Sequence, residues 1–494
     1  MKKIILLFLS IGVSFFLNAL NLTSSGIWLK DQEREPPRKK PAELREGQRV
    51  LNPDDYAPVY LPTDELTISA GKKEGVIQPL LGINAGPAPS GERSNADLTK
   101  QYQLFGIRSV RTHDFYGPFD LSQIYPDINA PPENPLSYNF SASDEIFQRI
   151  IKAGCTVYLR LGDSYNNVRI PRTPKERTHL SRAAVEVVRH YAEMARQWKA
   201  PLRYVEIWNE PDLNRFWPAG MQDFQAFFIE TFLALKTEFP EIKIGGPGLA
   251  VLSYKMPSAK QRAVRFLEAL KENSLSPDFL SFHLYSNHPH EFFEVVKYYR
   301  SLLEKIGIRN CELHITEWNT ERKPADASLI TGEKAAAYFT AFWIALQRAE
   351  VDQSFVYRGT DTSPNFDLFY GIFYADGRPK PSAVAFKLWS WFSTYHHKIH
   401  LQTGIPVIDS DPRAEAKPSP LWLIAAEKET GETSILVANI SSREYKITLD
   451  KSFGFKSLKI SEIKSANPEI KQYQWGERRV AVPAYSVLLI ELLN

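Results

Sequence analysis

The feature that most constrains this chain is an alternation repeated eight times between about residues 77 and 395. A short apolar, β-rich run is followed each time by a helical run. The runs are PLLGIN, SVRTH, TVYLRL, YVEIWN, IKIGG, FLSFHLY, LHITEW and SFVYR, rich in the β-branched, aromatic and aliphatic residues that suit a pleated strand. Between them, SRAAVEVVRHYAEMARQW and GEKAAAYFTAFWIALQRA repeat their apolar residues at helical spacing. Strands separated by helices pair in parallel, and eight such units close into a barrel of typically about 250 residues plus insertions. The expected fold is therefore α/β, a (β/α)8 TIM barrel over residues 77–395.

Beyond residue 396 the pattern changes. PLWLIAAEKETGETSILVANIS, YKITLD and RRVAVPAYSVLLIELL alternate over short runs, with a turn at Glu429-Thr430-Gly431, which predicts an accessory antiparallel β-sandwich over 396–494. Segment 49–76, with its LTIS run, is expected to join that domain. Residues 20–48 contain EREPPRKKPAELREGQ, charged and without apolar period, and read as a mobile leader. Residues 1–19 read as a signal peptide: Lys2 and Lys3 precede an apolar stretch from Ile4 to Leu17 and the small Ala19. That stretch is shorter than the roughly 20 residues of a membrane span, so export to the periplasm or beyond is expected, with an uncleaved anchor as the alternative. The formal net charge of +3 and the lack of a long basic run argue against a nucleic-acid face. Cys155 and Cys311, the only cysteines, are too few for a disulfide framework and read as buried small hydrophobes near strand starts.

In such a barrel chemistry gathers at the C-terminal ends of the strands. Glu210, in YVEIWNEPDLNRFW, ends the fourth strand, and Glu317, in LHITEWNT, ends the seventh. Two carboxylates across one mouth are what glycoside hydrolysis requires, one to protonate the leaving oxygen and one to attack the anomeric carbon. A separation of about 5 Å would mean retention of configuration, and roughly 6.5 to 9.5 Å inversion. Trp208 and Trp217 are expected to stack on sugar faces and to shield Glu210 from water, raising its pKa. His283 and Tyr285 share one face of FLSFHLY and are expected to point into the mouth. Arg111 and His113 share a face of VRTHD.

The string EIWNEPD, with RTHD upstream and ITEWN downstream, resembles glycoside hydrolase family 39, which includes β-xylosidases and α-L-iduronidases, within the clan of retaining barrel glycosidases. The resemblance covers roughly residues 77–395. It implies Glu210 as general acid/base, Glu317 as nucleophile, and Asn209 bonding the hydroxyl next to the anomeric carbon. It further implies Tyr285 orienting Glu317 and His113 contacting substrate. His283, Arg111 and Trp318 complete the residues expected to touch a carbohydrate substrate.

No cofactor and no metal are expected. His283, His288 and His290 with Asp114 suggest a metal hydrolase, but the histidines do not share a helix face and have no acidic residue at ligand spacing. Asp163 and Asp361 also end strands, where each is as well suited to capping a helix or turn. Three alternatives to a β-xylosidase-like enzyme stand beside it. An iduronidase-like activity could use Arg111, Arg160 or Arg358 to hold a uronate. An endo-acting exopolysaccharide hydrolase could use the aromatic loop DFYGPFDLSQIYPDINAPPENPLSYNF as a cleft wall. A non-catalytic sugar-binding scaffold would be expected to lack one of the two glutamates. The oligomeric state is not read from the sequence.

Overall fold

The structure, a computed structural model, describes residue 61 and residues 63–87, 96–113, 117–321, 326–361, 370–405, 418–464 and 469–494. The signal segment, the charged leader, Asp114 and residues 49–60 lie outside them. Strand β1 (Glu65–Val76) precedes eight strands that close into a barrel: β2 (Gly82–Asn84), β3 (Ser109–Arg111), β4 (Thr156–Leu161), β5 (Tyr204–Ile207), β6 (Lys243–Leu249), β7 (Phe279–Tyr285), β8 (Glu312–Asn319) and β9 (Gln353–Val356). Every neighbouring pair is parallel, and β2 pairs with β9 to complete the ring. The eight expected runs thus become the eight strands, and Glu210 and Glu317 follow or end the fourth and seventh of them.

Inside the barrel, Tyr158, Phe279 and Phe355 with the partly buried Tyr204 form an aromatic floor. Residues two further along the same strands, such as Arg160 after Tyr158 and Glu206 after Tyr204, lie one layer nearer the mouth. The interior is therefore apolar below and charged above.

The helices cover the outside. Helix α1 (Pro174–Gln197) starts at Thr173, whose hydroxyl accepts from the Glu176 N–H, and has proline in its first turn. It buries Leu180, Ala184, Val187, Val188, Tyr191 and Ala195 on one stripe. Each large side chain of that kind contributes about 1.5–3 kcal/mol on burial. The aromatics of the 117–140 loop pack back onto this helix: Phe119 and Phe140 meet Tyr191, and Phe140 stacks on His190. Phe119 belongs to the core and Tyr138 and Phe140 pack against it partly buried, while Phe115 and Tyr116 of the same loop lie outside the described residues.

The remaining strands build one continuous nine-stranded sheet in the order β15-β14-β17-β12-β11-β10-β1-β13-β16. Its members are β10 (His397–Gln402), β11 (Leu421–Glu427), β12 (Thr433–Asn439), β13 (Tyr445–Leu449), β14 (Ser457–Lys464), β15 (Ile470–Trp475), β16 (Arg479–Val482) and β17 (Ser486–Leu493). All its pairings are antiparallel except β1 with β13, which run parallel. Strand β1 pairs with β13 over Glu65–Ile68 and with β10 from Ser69 onward, with register shifts along the latter pairing, so it links the two layers of the sandwich. Alternate residues of β11 serve two cores: Leu421, Leu423 and Ala425 face the sandwich interior, while Trp422, Ile424 and Ala426 join the barrel core. Helix α2 (Lys334–Arg348), buried on almost every side, is the barrel element that receives them.

Cys155 is buried and Cys311 half-buried, each free and each immediately before a strand. Burial pushes both thiols up to about 12. Among the described residues no helix is long and apolar enough to cross a membrane.

Candidate active site

The turn after β5 answers why an apolar strand ends in Asn-Glu-Pro-Asp. Along a regular strand Asn209 and Glu210 would face opposite sides. Here Trp208 and Glu210 both adopt left-handed backbone, φ 78° and 46°, uncommon for residues with side chains. The period of two is broken, Trp208 swings outward, and both polar side chains reach the mouth. The conformation is fixed from several sides. The Glu210 N–H donates to Gly248 O at 2.9 Å, and Asp212 accepts from the Ala250 N–H and the Ser253 hydroxyl. Trp208 Nε1 donates to Phe216 O across the turn.

Glu317 is held by three residues from the ends of two strands, β3 and β7. Arg111 Nη1 donates to its Oε1 at 2.8 Å, and the Tyr285 hydroxyl donates to its Oε2 at 2.8 Å. His113 Nε2 stands 3.3 Å from Oε1. Arg111 is itself locked: Nε pairs with Glu206 at 2.6 Å, Nη1 reaches Asn84 Oδ1, and Nη2 donates to Asn209 Oδ1 at 2.7 Å. Because Arg111 can only donate, that bond fixes the Asn209 amide, and its Nδ2 is left buried without a partner.

Glu210 is held from the other side. His283 Nδ1 lies 3.0 Å from its Oε1 and 3.6 Å from Glu317 Oε2. Arg215 Nη2 donates to its Oε2 at 3.3 Å. Burial pushes the Glu210 carboxyl up, but the His283 hydrogen bond and the charges of His283 and Arg215 outweigh it and hold it below its usual range. Burial pushes the His283 ring down, and the carboxylates of Glu317 and Glu210 more than offset it, leaving it above the usual histidine range. His113 is held well below that range by burial and by the positive charges of Arg111 and Arg160, so it is neutral. Tyr285 is held well above its usual value by burial and by Glu317, so it keeps its proton.

A carboxylate oxygen of Glu210, a ring nitrogen of His283 and a carboxylate oxygen of Glu317 all lie within 4.8 Å of one another. One oxygen of each carboxylate thus lies within 4.8 Å of one oxygen of the other, an approach that suits the roughly 5 Å of a retaining glycosidase rather than the roughly 6.5 to 9.5 Å of an inverting one. The same three groups satisfy the spacing of a cation site, but Arg111 and Arg215 already balance their charge.

The structure brings Arg111, His113, Asn209, Glu210, His283, Tyr285 and Glu317 together and leaves out the tryptophans. Trp318 is fully buried on the outer face of β8, donating Nε1 to Ser354 Oγ and packed on Phe292, Phe339 and Trp343. It alternates with Glu317, so it cannot share the mouth. Trp208 and Trp217 are also fully buried, edge to face at 4.8 Å. They brace the turn rather than offering a platform. The aromatic wall is instead Tyr285 with Tyr357 and Tyr370, ring centroids 5.2 to 6.0 Å apart. Asp163 accepts from the Ser122 and Arg169 N–H groups, as suits a turn-holding residue. His288 and His290 pair with each other, away from the carboxylates, at the start of the following helix (Pro289–Ile306).

Sequence reasoning missed four contributors. Glu206 bridges Arg111 and Thr316, and Asn84 orients Arg111. Their signal was an acid and an amide at inward strand positions. Gly248, φ 65°, leaves the space that His283 Nε2, Arg111 Nη2 and Glu206 Oε1 approach, each within 3.4 Å of where a Cβ would stand. Arg215 sits in the quoted motif but carries no sign of its partner.

Comparison with known proteins agrees with this geometry. The family model described as Glycosyl hydrolases family 39 matches residues 72–361. The β-xylosidase of Geobacillus stearothermophilus is 24% identical over 371 residues, 67% of this chain and 70% of that one. A β-xylosidase of Caldicellulosiruptor saccharolyticus is 22% identical over 392 residues, 70% of this chain and 75% of that one. In fold, a monomeric β-xylosidase from Caulobacter crescentus superposes with a TM-score of 0.64 at 18% identity, over 87% of this chain and 99% of that one. A glucosidase from Croceicoccus marinus gives 0.67 at 21% identity over the same shares.

Proposed function

Since the chain belongs to glycosyl hydrolase family 39 and is thus a glycosidase acting on a carbohydrate, we propose that it cleaves β-xylosidic bonds by a two-step double displacement. The observation that carries the mechanism is the approach of one Glu210 oxygen to within 4.8 Å of one Glu317 oxygen. In the first step the Glu317 carboxylate attacks the anomeric carbon while Glu210 gives a proton to the departing oxygen. In the second, Glu210 takes a proton from water, which releases the sugar from Glu317. Tyr285 and Arg111 aim Glu317. The unpartnered Asn209 amide donates to the hydroxyl beside the anomeric carbon. The xylose preference is supported by the similarity to the β-xylosidases of Geobacillus stearothermophilus and Caldicellulosiruptor saccharolyticus.

A second reading, a substrate carrying a carboxylate in the same pocket, is favoured by Arg160. Its guanidinium is buried, holds Asp120 by one nitrogen at 3.4 Å, and leaves Nε and Nη1 unpartnered. Arg111, by contrast, is spent on Glu206, Asn84, Glu317 and Asn209. A screen of aryl β-xyloside, β-glucoside and α-L-iduronide, with polysaccharide fragments beside them, tests both readings. Turnover of the xyloside with a β-anomer as first product supports the proposal. Turnover of the uronide alone would move it to the second reading. We further propose export, resting on residues 1–19; secretion of the full chain with loss of that segment, read by N-terminal sequencing, tests it.

A further inference from the structure

The proton donor of a glycosidase stands beside the glycosidic oxygen, so whatever holds its outer oxygen borders the leaving group. His283 holds Oε1 of Glu210 from inside the barrel, its side chain 0% exposed. Arg215 holds Oε2 from the solvent side, its side chain 45% exposed. The leaving group enters on Arg215's side.

Arg215 is poised rather than committed. Its one hydrogen bond among the described residues is the 3.3 Å contact with Glu210, although a guanidinium offers five N–H donors in a planar fork. Its plane is steadied by two rings, 5.6 Å from the centroid of Tyr165 and 5.1 Å from that of Phe216. The rings meet at 6.2 Å, 68° apart. A cation so held keeps a free edge toward solvent, and a carboxylate is the group that fits such a fork in two-pronged fashion.

We propose that Arg215, with Tyr165 and Phe216, forms a leaving-group subsite for a carboxylate-bearing residue, a uronic acid in a polysaccharide being the natural class. The inference rests on Glu210 being the proton donor. It assigns acidity to the leaving side of the bond, whereas Arg160 bears on the sugar that stays behind. A carboxylate there draws Arg215 away from Glu210 at the moment Glu210 must hold a proton, so binding and acid function reinforce one another.

The test compares two aryl glycosides of one sugar whose leaving groups are 3-carboxyphenyl and 3-carbamoylphenyl, nearly equal in shape and different in charge. The wild-type enzyme should show KM lower by roughly tenfold for the carboxylate at low salt, shrinking as salt is raised. In Arg215→Gln that ratio should fall to about one, and Arg215→Lys should keep part of it. Equal KM values in the wild type, or an unchanged ratio in Arg215→Gln, would overturn the inference while leaving the glycosidase reading intact. No turnover of either glycoside, with other sugars also inert, would sink the reading and the inference together.

Discussion

His283 Nδ1 stands 3.0 Å from Oε1 of Glu210, and in the proposed mechanism this contact sets where the proton donated by Glu210 rests. The environment lowers the Glu210 carboxyl and raises the imidazole, so the pair holds a proton mostly on the ring. The two groups titrate together and the proton count belongs to the pair.

The alkaline limb of kcat/KM should therefore report loss of that shared proton. The ring's value is raised, so the proton is held below the raised value and lost as pH climbs through it. The limb should lie above the ordinary histidine value of about 6.5. His283→Ala should move it down, toward the titration of Glu210 alone beside Arg215. Glu317 and Tyr285 also face the pair, and Asp212 approaches Glu210 from its own turn. A limb unmoved in His283→Ala would show that the pair does not govern the profile.

Tyr285→Phe should lower kcat by about 10- to 100-fold, the worth of one hydrogen bond to a charged group, with KM little changed. The bond at stake is the 2.8 Å one that orients Glu317. Thermal stability should stay near wild type because the ring is retained. A kcat within twofold of wild type would remove Tyr285 from the orienting role.

Gly248→Ala should cost both stability and activity. Its φ of 65° penalises a Cβ by about 1–2 kcal/mol, and the methyl would press at 3.2 Å on His283 Nε2 and at 3.4 Å on Arg111 and Glu206. We expect a lowered melting temperature and kcat/KM reduced by at least tenfold, as displacement of reacting groups by fractions of an ångström commonly does. Full activity would mean that this packing does not position the site.

The barrel was legible because eight strand runs each signal themselves locally, and strand-end position alone brought Glu210 and Glu317 to one mouth. His283 and Tyr285 were legible for the same reason, since period two puts alternate residues on one face. The tryptophans were not. Trp318 neighbours Glu317 in sequence and therefore faces away from it. Trp208 leaves the mouth only because the backbone turns left-handed there, which no side-chain pattern announces. The Arg111–Glu206 pair joins residues whose proximity exists only once the ring has closed, and the Arg215–Glu210 contact, though local, depends on the left-handed turn at Glu210. The parallel pairing of β1 with β13 likewise depends on a contact between distant segments.

The assignment of the two carboxylates is tested most directly by azide rescue of Glu210→Ala on a glycoside with a dinitrophenolate leaving group. That leaving group needs no proton, so Glu317 should still form the glycosyl-enzyme, which then lacks its general base and accumulates. Azide needs no deprotonation and fits the space vacated by the carboxylate. The account predicts faster turnover with azide and a glycosyl azide of retained configuration. Rescue of Glu317→Ala instead, giving the opposite anomer while Glu210→Ala gains nothing, would contradict it and exchange the two roles.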